Sequence, residues 1–425
     1  MGVNFDRENG CLALTQEGGH SHRRILRANG DTTGKEIERG LIEFVKKNDN
    51  ISIFEYTFTI DLLVTDGKCK GAIAWHSQKG TMLIWAKQTI LAAGGCGQLY
   101  RETTNPKVAK GDGVAIAYRA GAIIQDMEFI QFHPTTLYIA GAARTLISET
   151  VRGEGGILKN KYGERFMLKY HPNAELAPRD VVSRSILEEI RRTDYTHVYL
   201  DATHIPADVL SVRFPRIKEQ CKSFDIDITK EMIPVHPSAH YMIGGVKVNH
   251  KGMTNIQDLY ACGEVSSTGF HGANRLGSNS LLEGLVYGHR VGSEVSDRLK
   301  NNNVELLPQS IKYKVPASRQ GELDFGDVKD ALQSLMWRNV GIERDQKRLK
   351  EANKMIDNWC NYVLDKEFLF PAGWEVQNML TTARLITEMA ERREETRGVH
   401  YRKDFPDRND KEWKIQTTIQ KKVTL

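Results

Sequence analysis

Between residues 51 and 95 the apolar positions come in short runs separated by turn residues, the pattern of strands rather than helices. Leu62-Leu63-Val64-Thr65 and Ala72-Ile73-Ala74-Trp75 flank Asp66-Gly67, a hairpin dipeptide, although the stretch between these runs is longer than the ideal two-residue loop. Met82-Leu83-Ile84-Trp85 extends the meander. Gln88-Thr89-Ile90-Leu91-Ala92-Ala93-Gly94-Gly95 then reads as a short buried parallel strand that stops at a ligand crevice, and a helix is predicted over 111–122. From about residue 126 to 240 the pattern turns mixed, as in an inserted domain, and Gly244-Gly245-Val246-Lys247-Val248 and Leu259-Tyr260-Ala261-Cys262-Gly263-Glu264 return to the glycine-rich short-strand style. A helix is predicted over 279–291 and a polar linker over 301–321. Beyond Asp327, Leu332, Leu335, Met336, Val340 and Ile342, then Leu349, Met355, Ile356, Trp359 and Val363, recur at helical spacing and predict two or three packed helices. The stretch 392–422 is highly charged.

Composition narrows the class. The chain has 425 residues, 40% hydrophobic and 27% charged, with a net charge of +5, which suits an ordinary folded protein with several domains. No run approaches the ~18 apolar residues of a membrane span, so no membrane partner is expected. The positive excess is spread out, with no Lys/Arg block interleaved with aromatics, so no nucleic acid is expected either. Six cysteines without a CxxC read as reduced, mostly buried thiols, and Met1-Gly2-Val3-Asn4-Phe5-Asp6-Arg7 has no apolar core for a signal peptide. A cytoplasmic location follows as the default.

The 36 glycines matter more than the charge, because many cluster at strand ends and helix starts. Gly94-Gly95-Cys96-Gly97 could turn its amides to a phosphate or a planar cofactor, or be a plain turn. Asp112, in Gly111-Asp112-Gly113, is by itself more simply a helix cap. Glu264 ends a strand where ribose hydroxyls are bound in nucleotide folds. Ser278-Asn279-Ser280-Leu281 opens a helix whose free N–H groups suit an electron-rich ring edge. Together these four favour a nucleotide-type cofactor. A second set is cationic: His133, His240, Arg179 and Arg275, most of them beside glycine or proline turns. Arginine grips carboxylates through its bidentate fork, so the set suits a small dicarboxylate, whereas surface ion pairs and satisfied histidines are the plainer reading of each member alone. The histidines lack the spacing of metal ligands.

Gln131-Phe132-His133-Pro134-Thr135, Glu149-x-x-Arg152-Gly153-Glu154-Gly155-Gly156, Pro178-Arg179-Asp180, His240-Tyr241-Met242-Ile243-Gly244-Gly245-Val246 and His271-Gly272-Ala273-Asn274-Arg275-Leu276-Gly277-Ser278-Asn279-Ser280-Leu281-Leu282-Glu283 together resemble the succinate dehydrogenase/fumarate reductase flavoprotein superfamily. Within it, Glu17-Gly18-Gly19-His20-Ser21-His22-Arg23-Arg24-Ile25 resembles the branch that oxidises L-aspartate. The resemblance implies that Arg179 is the proton donor and acceptor at the substrate carbon, with Glu149 and Arg152 as its relay. It implies that His133, His240 and Arg275 bind the two carboxylates, that Glu17 recognises the substrate ammonium, and that Ser148, where many relatives carry threonine, keeps the hydroxyl contact. It implies FAD as cofactor, with contacts from Asp112, Glu264, Ser280 and Leu281 and with the adenine near the Phe58-Thr59 backbone. The implied chemistry is hydride transfer from Cα of L-aspartate to the flavin, which is reoxidised by oxygen or fumarate, with quinolinate synthase as a candidate partner in NAD biosynthesis.

No G-x-G-x-x-G occurs in the chain. In the family it opens the FAD-binding unit, so the sequence is expected to begin after it. The expected fold is α/β plus α: an incomplete Rossmann-like FAD-binding domain (1–126 and 241–304) interrupted by an α+β capping domain (127–240) and followed by a C-terminal helical domain (311–425). Two other readings stay open: a non-catalytic truncated remnant, and a soluble fumarate reductase or succinate dehydrogenase flavoprotein.

Overall fold

Asp66 and Gly67 both take positive φ, 51° and 71°, as the two central residues of a type I′ turn must. They join the antiparallel strands Thr57–Thr65 and Lys68–His76, whose last pair is Thr65 with Lys68, so the loop is two residues and not the longer one expected. The strands outrun their apolar residues because ladder hydrogen bonds are backbone bonds, indifferent to a polar side chain at the solvent end. Gly80–Trp85 adds the third strand of the meander. Gly71 is required there, since a Cβ would run into the Ile84 carbonyl.

The computed structural model describes residues 2–301, 306, 308 and 323–421, so the predicted linker lies almost wholly outside the described residues. The chain forms two compact units. Met1–Phe54, Phe132–Ser238 and Leu276–Ser278 make the first, and Glu55–Gln131, Ala239–Arg275 and Asn279–Leu425 the second. The first 54 residues group with Phe132–Ser238. Their contacts are specific: Arg213 donates to Thr15 Oγ1 at 2.8 Å, and Asp31 caps the helix Pro215–Lys222 by accepting from the backbone of Ile217 at 3.0 Å.

The first unit is built on a five-stranded sheet in the order Thr145–Leu146, Ile130–Leu137, Ile233–Met242, Val198–Asp201, Ile157–Lys159. Its apolar side, with Leu158, Leu200, Ile233 and Val235, packs on Val182 and Ile186 of the helix Arg179–Thr193. In the second unit Thr89–Leu91 pairs in parallel with Leu259–Ala261, as predicted, but the strand is not the buried one expected, since Ile90 is 43% exposed. Each is followed by a left-handed glycine, Gly94 (φ 73°) and Gly263 (φ 71°). A four-stranded sheet runs Ser266–Ser267, Gly245–Lys247, Ile124–Gln125, Thr418–Ile419.

Three helices, Phe325–Asn339, Gln346–Val363 and Pro371–Arg392, form the predicted C-terminal bundle. Asp324 and Asp345 cap the first two by accepting from the amides of Asp327 and Arg348, and Pro371 opens the third at the position where its missing N–H costs nothing. Leu332, Leu335, Met336, Leu349, Ile356 and Val363 are buried, but Met355 is exposed and Trp359 half-buried, because Ala352, Ile356 and Cys360 already fill the inward stripe. Among the described residues no helix is long and apolar enough to cross a membrane. All six cysteines are free thiols; four are buried, Cys262 is partly buried and Cys11 is exposed.

The charged stretch after Arg392 is exposed over most of 403–414 but begins as a buried ionic cluster. Arg393, Glu395, His400 and Arg402 are fully buried. Arg393 Nε donates to Glu128 Oε1 at 2.6 Å and its Nη1 to Glu395 Oε1 at 2.9 Å, while Arg344 Nη1 donates to His400 Nδ1 at 2.8 Å. His400 is held neutral: burial and then the Arg344 charge push its pKa well down. The chain end is clamped by two acids, with Asp126 Oδ1 accepting from Thr417 N at 3.0 Å and Glu128 accepting from Thr417 Oγ1 at 2.8 and 2.9 Å.

Burial, then the neighbouring Glu128 carboxylate, pushes Asp126 up to about 7. An acid raised in the folded state binds more protons folded than unfolded, so its contribution falls as pH rises from its unfolded value, near 3.9, to about 7. Asp126→Asn keeps the Oδ1 acceptor and tolerates the φ of 58°, so at about pH 8 it is expected to be more stable than wild type by ~1–2 kcal/mol, with the gain absent at about pH 4. Thermal melts across that range check this; a gain of the same size at both ends would refute it.

Candidate active site

The strongest chemistry in the first unit is a line of three buried charges. Ser148 caps the short helix Glu149–Gly153 by accepting from Thr150 N at 3.2 Å, which aims Glu149 and Arg152 one turn apart. Arg179 opens a second helix just after Pro178. Arg179 Nε donates to Glu149 Oε2 at 2.7 Å, and Arg152 Nη2 lies 3.2 Å from Glu149 Oε1. Exposure is 2% for Glu149, 1% for Arg152 and 7% for Arg179. Burial lowers the Arg152 pKa; Glu149 opposes that and the like charge of Arg179 adds to it. Arg152 Nη1 also donates to the Glu175 carbonyl at 2.5 Å, so the far end of the line is anchored. A single carboxylate shared by two guanidiniums in a dry place suits a moving proton.

The Glu17-Gly18-Gly19 segment lies against this line. A Cβ on Gly18 would overlap Glu149 Oε1, and one on Gly277 would overlap Glu17 Oε2 and come within 3.1 Å of Arg179 Nη2. So Glu17 and Arg179 reach the same small space beside Gly277, and Gly18 makes room for Glu149. His133 is buried on the strand Ile130–Leu137 with Nδ1 3.0 Å from the Thr135 carbonyl. Ser148 spends its hydroxyl on the helix cap and on Thr150 Oγ1 at 3.0 Å.

The remaining candidates belong to the second unit. His240 Nδ1 sits 2.9 Å from Thr104 Oγ1, and Asn105 Nδ2 donates to the His240 carbonyl at 2.8 Å. Arg275 is buried, its guanidinium 4.4 Å from the Tyr241 ring centroid and its Nη1 3.2 Å from Ser280 Oγ. Tyr241, His271 and Glu283 were inside the recognised runs but carried no assigned role. Glu283 accepts from Tyr241 Oη at 3.1 Å and lies 2.8 Å from His271 Nε2. Burial raises the Glu283 pKa, yet the bonds from His271, Thr268 and Tyr241 hold it below the ordinary carboxylate value. Such a cluster has no spacing rule, so only the fold shows that it props the ring under Arg275.

Of the cofactor candidates, Glu264 sits in the turn Gly263–Val265 at the carboxyl end of the parallel pair. It accepts from Met242 N at 2.9 Å and passes so close over Gly95 that a Cβ there would overlap it. Burial pushes it up to about 7. Space is open beside the Cα of Gly94 and of Gly263. Ser280 and Leu281 lie in the first turn of the helix Asn279–Asn301, where Leu281 and Leu282 are 40% and 54% exposed. Free N–H groups, exposed leucines and a half-neutral acid at a strand end fit an apolar ring with a polar edge and a hydroxylated chain. Asp112 and Phe58 sit against one helix, Pro371–Arg392: Asn378 Nδ2 donates to Asp112 Oδ1 at 2.6 Å, and Phe58 stacks on Trp374 at 5.7 Å. Thr59 is exposed and paired with Ala74 in the meander.

A family model described as an FAD binding domain matches residues 1–281, and one described as the fumarate reductase flavoprotein C-terminus matches residues 329–425. The chain is 43% identical to L-aspartate oxidase 2-b, chloroplastic, of Nicotiana tabacum over 99% of this chain and 69% of that one. It is 40% identical to L-aspartate oxidase of Yersinia pestis over 96% and 79% of the two chains. Among solved structures it matches a mutant FrdA of E. coli quinol fumarate reductase with a TM-score of 0.88 at 30% identity, covering 98% of this chain and 77% of that one. It matches Mycobacterium smegmatis Sdh1 with a TM-score of 0.78 at 30% identity, covering 100% and 78%.

The prop under Arg275 has a measurable weight. Tyr241→Phe keeps the ring and its stacking but removes a hydrogen bond to a buried carboxylate, for an expected loss of ~1–2 kcal/mol in denaturant unfolding. Tyr241→Ala is expected to lose more, and equal losses would refute the assigned division between hydroxyl and ring.

Proposed function

The chain belongs to the L-aspartate oxidase family of FAD-binding, fumarate-reductase-type flavoproteins, and we propose that it oxidises L-aspartate to iminoaspartate, with oxygen or fumarate as the final acceptor. The observation that carries this reading is the buried line Arg179–Glu149–Arg152. FAD, when bound, supplies the two-electron acceptor for the substrate hydride. The chain's own residues do the rest. Arg275 and the two histidines, His133 and His240, hold carboxylates, and Glu17 takes the ammonium, the group that separates L-aspartate from succinate and fumarate. Ser148 acts indirectly, by capping the helix start that sets Glu149 and Arg152.

Arg179 handles the substrate proton. A free guanidinium keeps its proton at any ordinary pH, so it acts as a base only when it first passes a proton to a partner. The Nε–Oε2 bond of 2.7 Å to Glu149 is that path, and Arg152 on the other carboxylate oxygen stabilises whichever charge state results. Glu264, Ser280 and Leu281 hold the flavin, with Asp112 and the Phe58-Thr59 backbone at its adenosine end. The parallel pair and the helix Asn279–Asn301 belong to the FAD-binding α/β layer. The imine product is short-lived in water, which favours direct hand-over to a consuming enzyme such as quinolinate synthase.

Purified with FAD, the protein is expected to be yellow, to lose its visible flavin band on anaerobic addition of L-aspartate, and to release peroxide in air. Glu149→Gln is expected to lower kcat by about 10²–10⁴-fold with the flavin spectrum retained. A colourless protein that stays inert with added FAD and L-aspartate would overturn the reading and favour a non-catalytic remnant. Turnover of fumarate with reduced flavin but none of L-aspartate would favour a fumarate reductase.

A further inference from the structure

The segment that carries Glu17 is tied down from within. His20 N donates to the Glu17 carbonyl at 3.2 Å, and Gln16 Nε2 donates to the His20 carbonyl at 2.6 Å, so the segment folds back on itself. Gly19 makes the bend at φ 78°, and a Cβ there would press on Leu276. The ring of His20 is buried and spans two partners. Arg24 Nε lies 3.0 Å from its Nδ1, and the Gly277 carbonyl lies 3.1 Å from its Nε2. A guanidinium can only donate and a carbonyl can only accept, so Nδ1 holds the lone pair and Nε2 holds the hydrogen. The ring therefore links Arg24, on the strand side of the segment, to Gly277, the residue over which the Glu17 carboxylate passes to reach the space shared with Arg179. None of the roles assigned above uses His20, Arg24 or Gly277.

We propose that His20 is the positioning residue that fixes Glu17 beside Arg179, and through it the preference for a dicarboxylate that bears an ammonium group over one that does not. This rests on the reading of Glu17 given under the proposed function. The physical ground is distance. A carboxylate gains from an ammonium only if it is held at contact, and a shift of about 1 Å at such a site is enough to cost on the order of 10²-fold. Glu17 sits on a segment with two consecutive glycines, which by themselves hold no fixed conformation. The His20 bridge supplies the missing restraint: it pins the segment to the turn Leu276–Ser278 at the point where Glu17 crosses it. A substrate without the ammonium makes no demand on Glu17, so loosening the bridge penalises L-aspartate alone.

The test uses the full chain with FAD and compares wild type, His20→Leu and His20→Gln. L-Aspartate oxidation is followed with oxygen, and fumarate reduction with a reduced dye as electron donor. His20→Leu is expected to raise KM for L-aspartate by about 10–100-fold with kcat within about threefold, and to change KM for fumarate by no more than about threefold. His20→Gln, whose amide nitrogen reaches the Gly277 carbonyl, is expected to recover most of the loss. Ligand-induced shifts in Tm should follow the same split, with the L-aspartate shift lost in His20→Leu and the fumarate shift kept. Should His20→Leu not fold, Arg24→Ala, which removes the donor to His20 Nδ1 from an exposed position, is expected to give the same split at smaller size. KM values that rise together for both substrates, or that do not move, overturn the proposal while leaving the oxidase reading intact. A wild type that takes fumarate but not L-aspartate overturns both.

Discussion

A carboxylate buried to 2% exposure between two guanidiniums is the constraint on which the first unit's site depends. Taking Glu149, Arg152 and Arg179 out of water costs several kcal/mol for each ion, and the close pairing of Arg179 Nε and Arg152 Nη2 with the two Glu149 oxygens offsets part of it. That demand reaches outward in specific ways. Ser148 must cap the helix so that Glu149 and Arg152 leave it one turn apart, Pro178 must start the next helix at Arg179, and position 18 must be glycine so that the backbone can lie on the carboxylate. The arrangement that makes the line costly is also what makes it useful, because a proton or an anion meets charges there that water does not screen.

The second unit repeats the principle for a different end. Arg393, Glu128, Glu395 and Arg344 are buried together with a neutral His400, and they fasten the chain end to the strand Ile124–Gln125. Here the pairing is between segments far apart in the chain, so it fixes which segment docks where and not how a proton moves. A hydrophobic contact could have supplied as much stability, but it is non-directional and would not choose one register for the two-residue strand Thr418–Ile419.

Local signals in the sequence were read well where the physics is local. The meander, the Asp66-Gly67 turn, the parallel strands that end in glycine and the C-terminal helices all follow from periodicity and turn chemistry within a few residues. The hairpin loop and the inward stripe of Gln346–Val363 were misjudged by a residue or two, because apolar patterning marks what is buried and not where a ladder or a helix ends. The grouping of residues 1–54 with 132–238 has no mark in the sequence pattern, because Asp31 on the helix Pro215–Lys222 and Thr15 on Arg213 are contacts that leave no periodic trace.

The site shows the same division. Residue type and position alone suggested His133, His240, Arg179 and Arg275 for a dicarboxylate and Glu264 for a nucleotide-type cofactor, and the family resemblance added Glu17, Glu149, Arg152 and a flavin as what it implies. Which of them meet was decided only by the tertiary structure. That Glu149 takes both arginines, that Tyr241 lies under Arg275 on a Glu283–His271 prop, and that His20 reaches the Gly277 carbonyl 257 positions along the chain are facts of packing. Side-chain chemistry is a property of one residue, but distance between residues remote in sequence is a property of the whole fold, set by every contact in between.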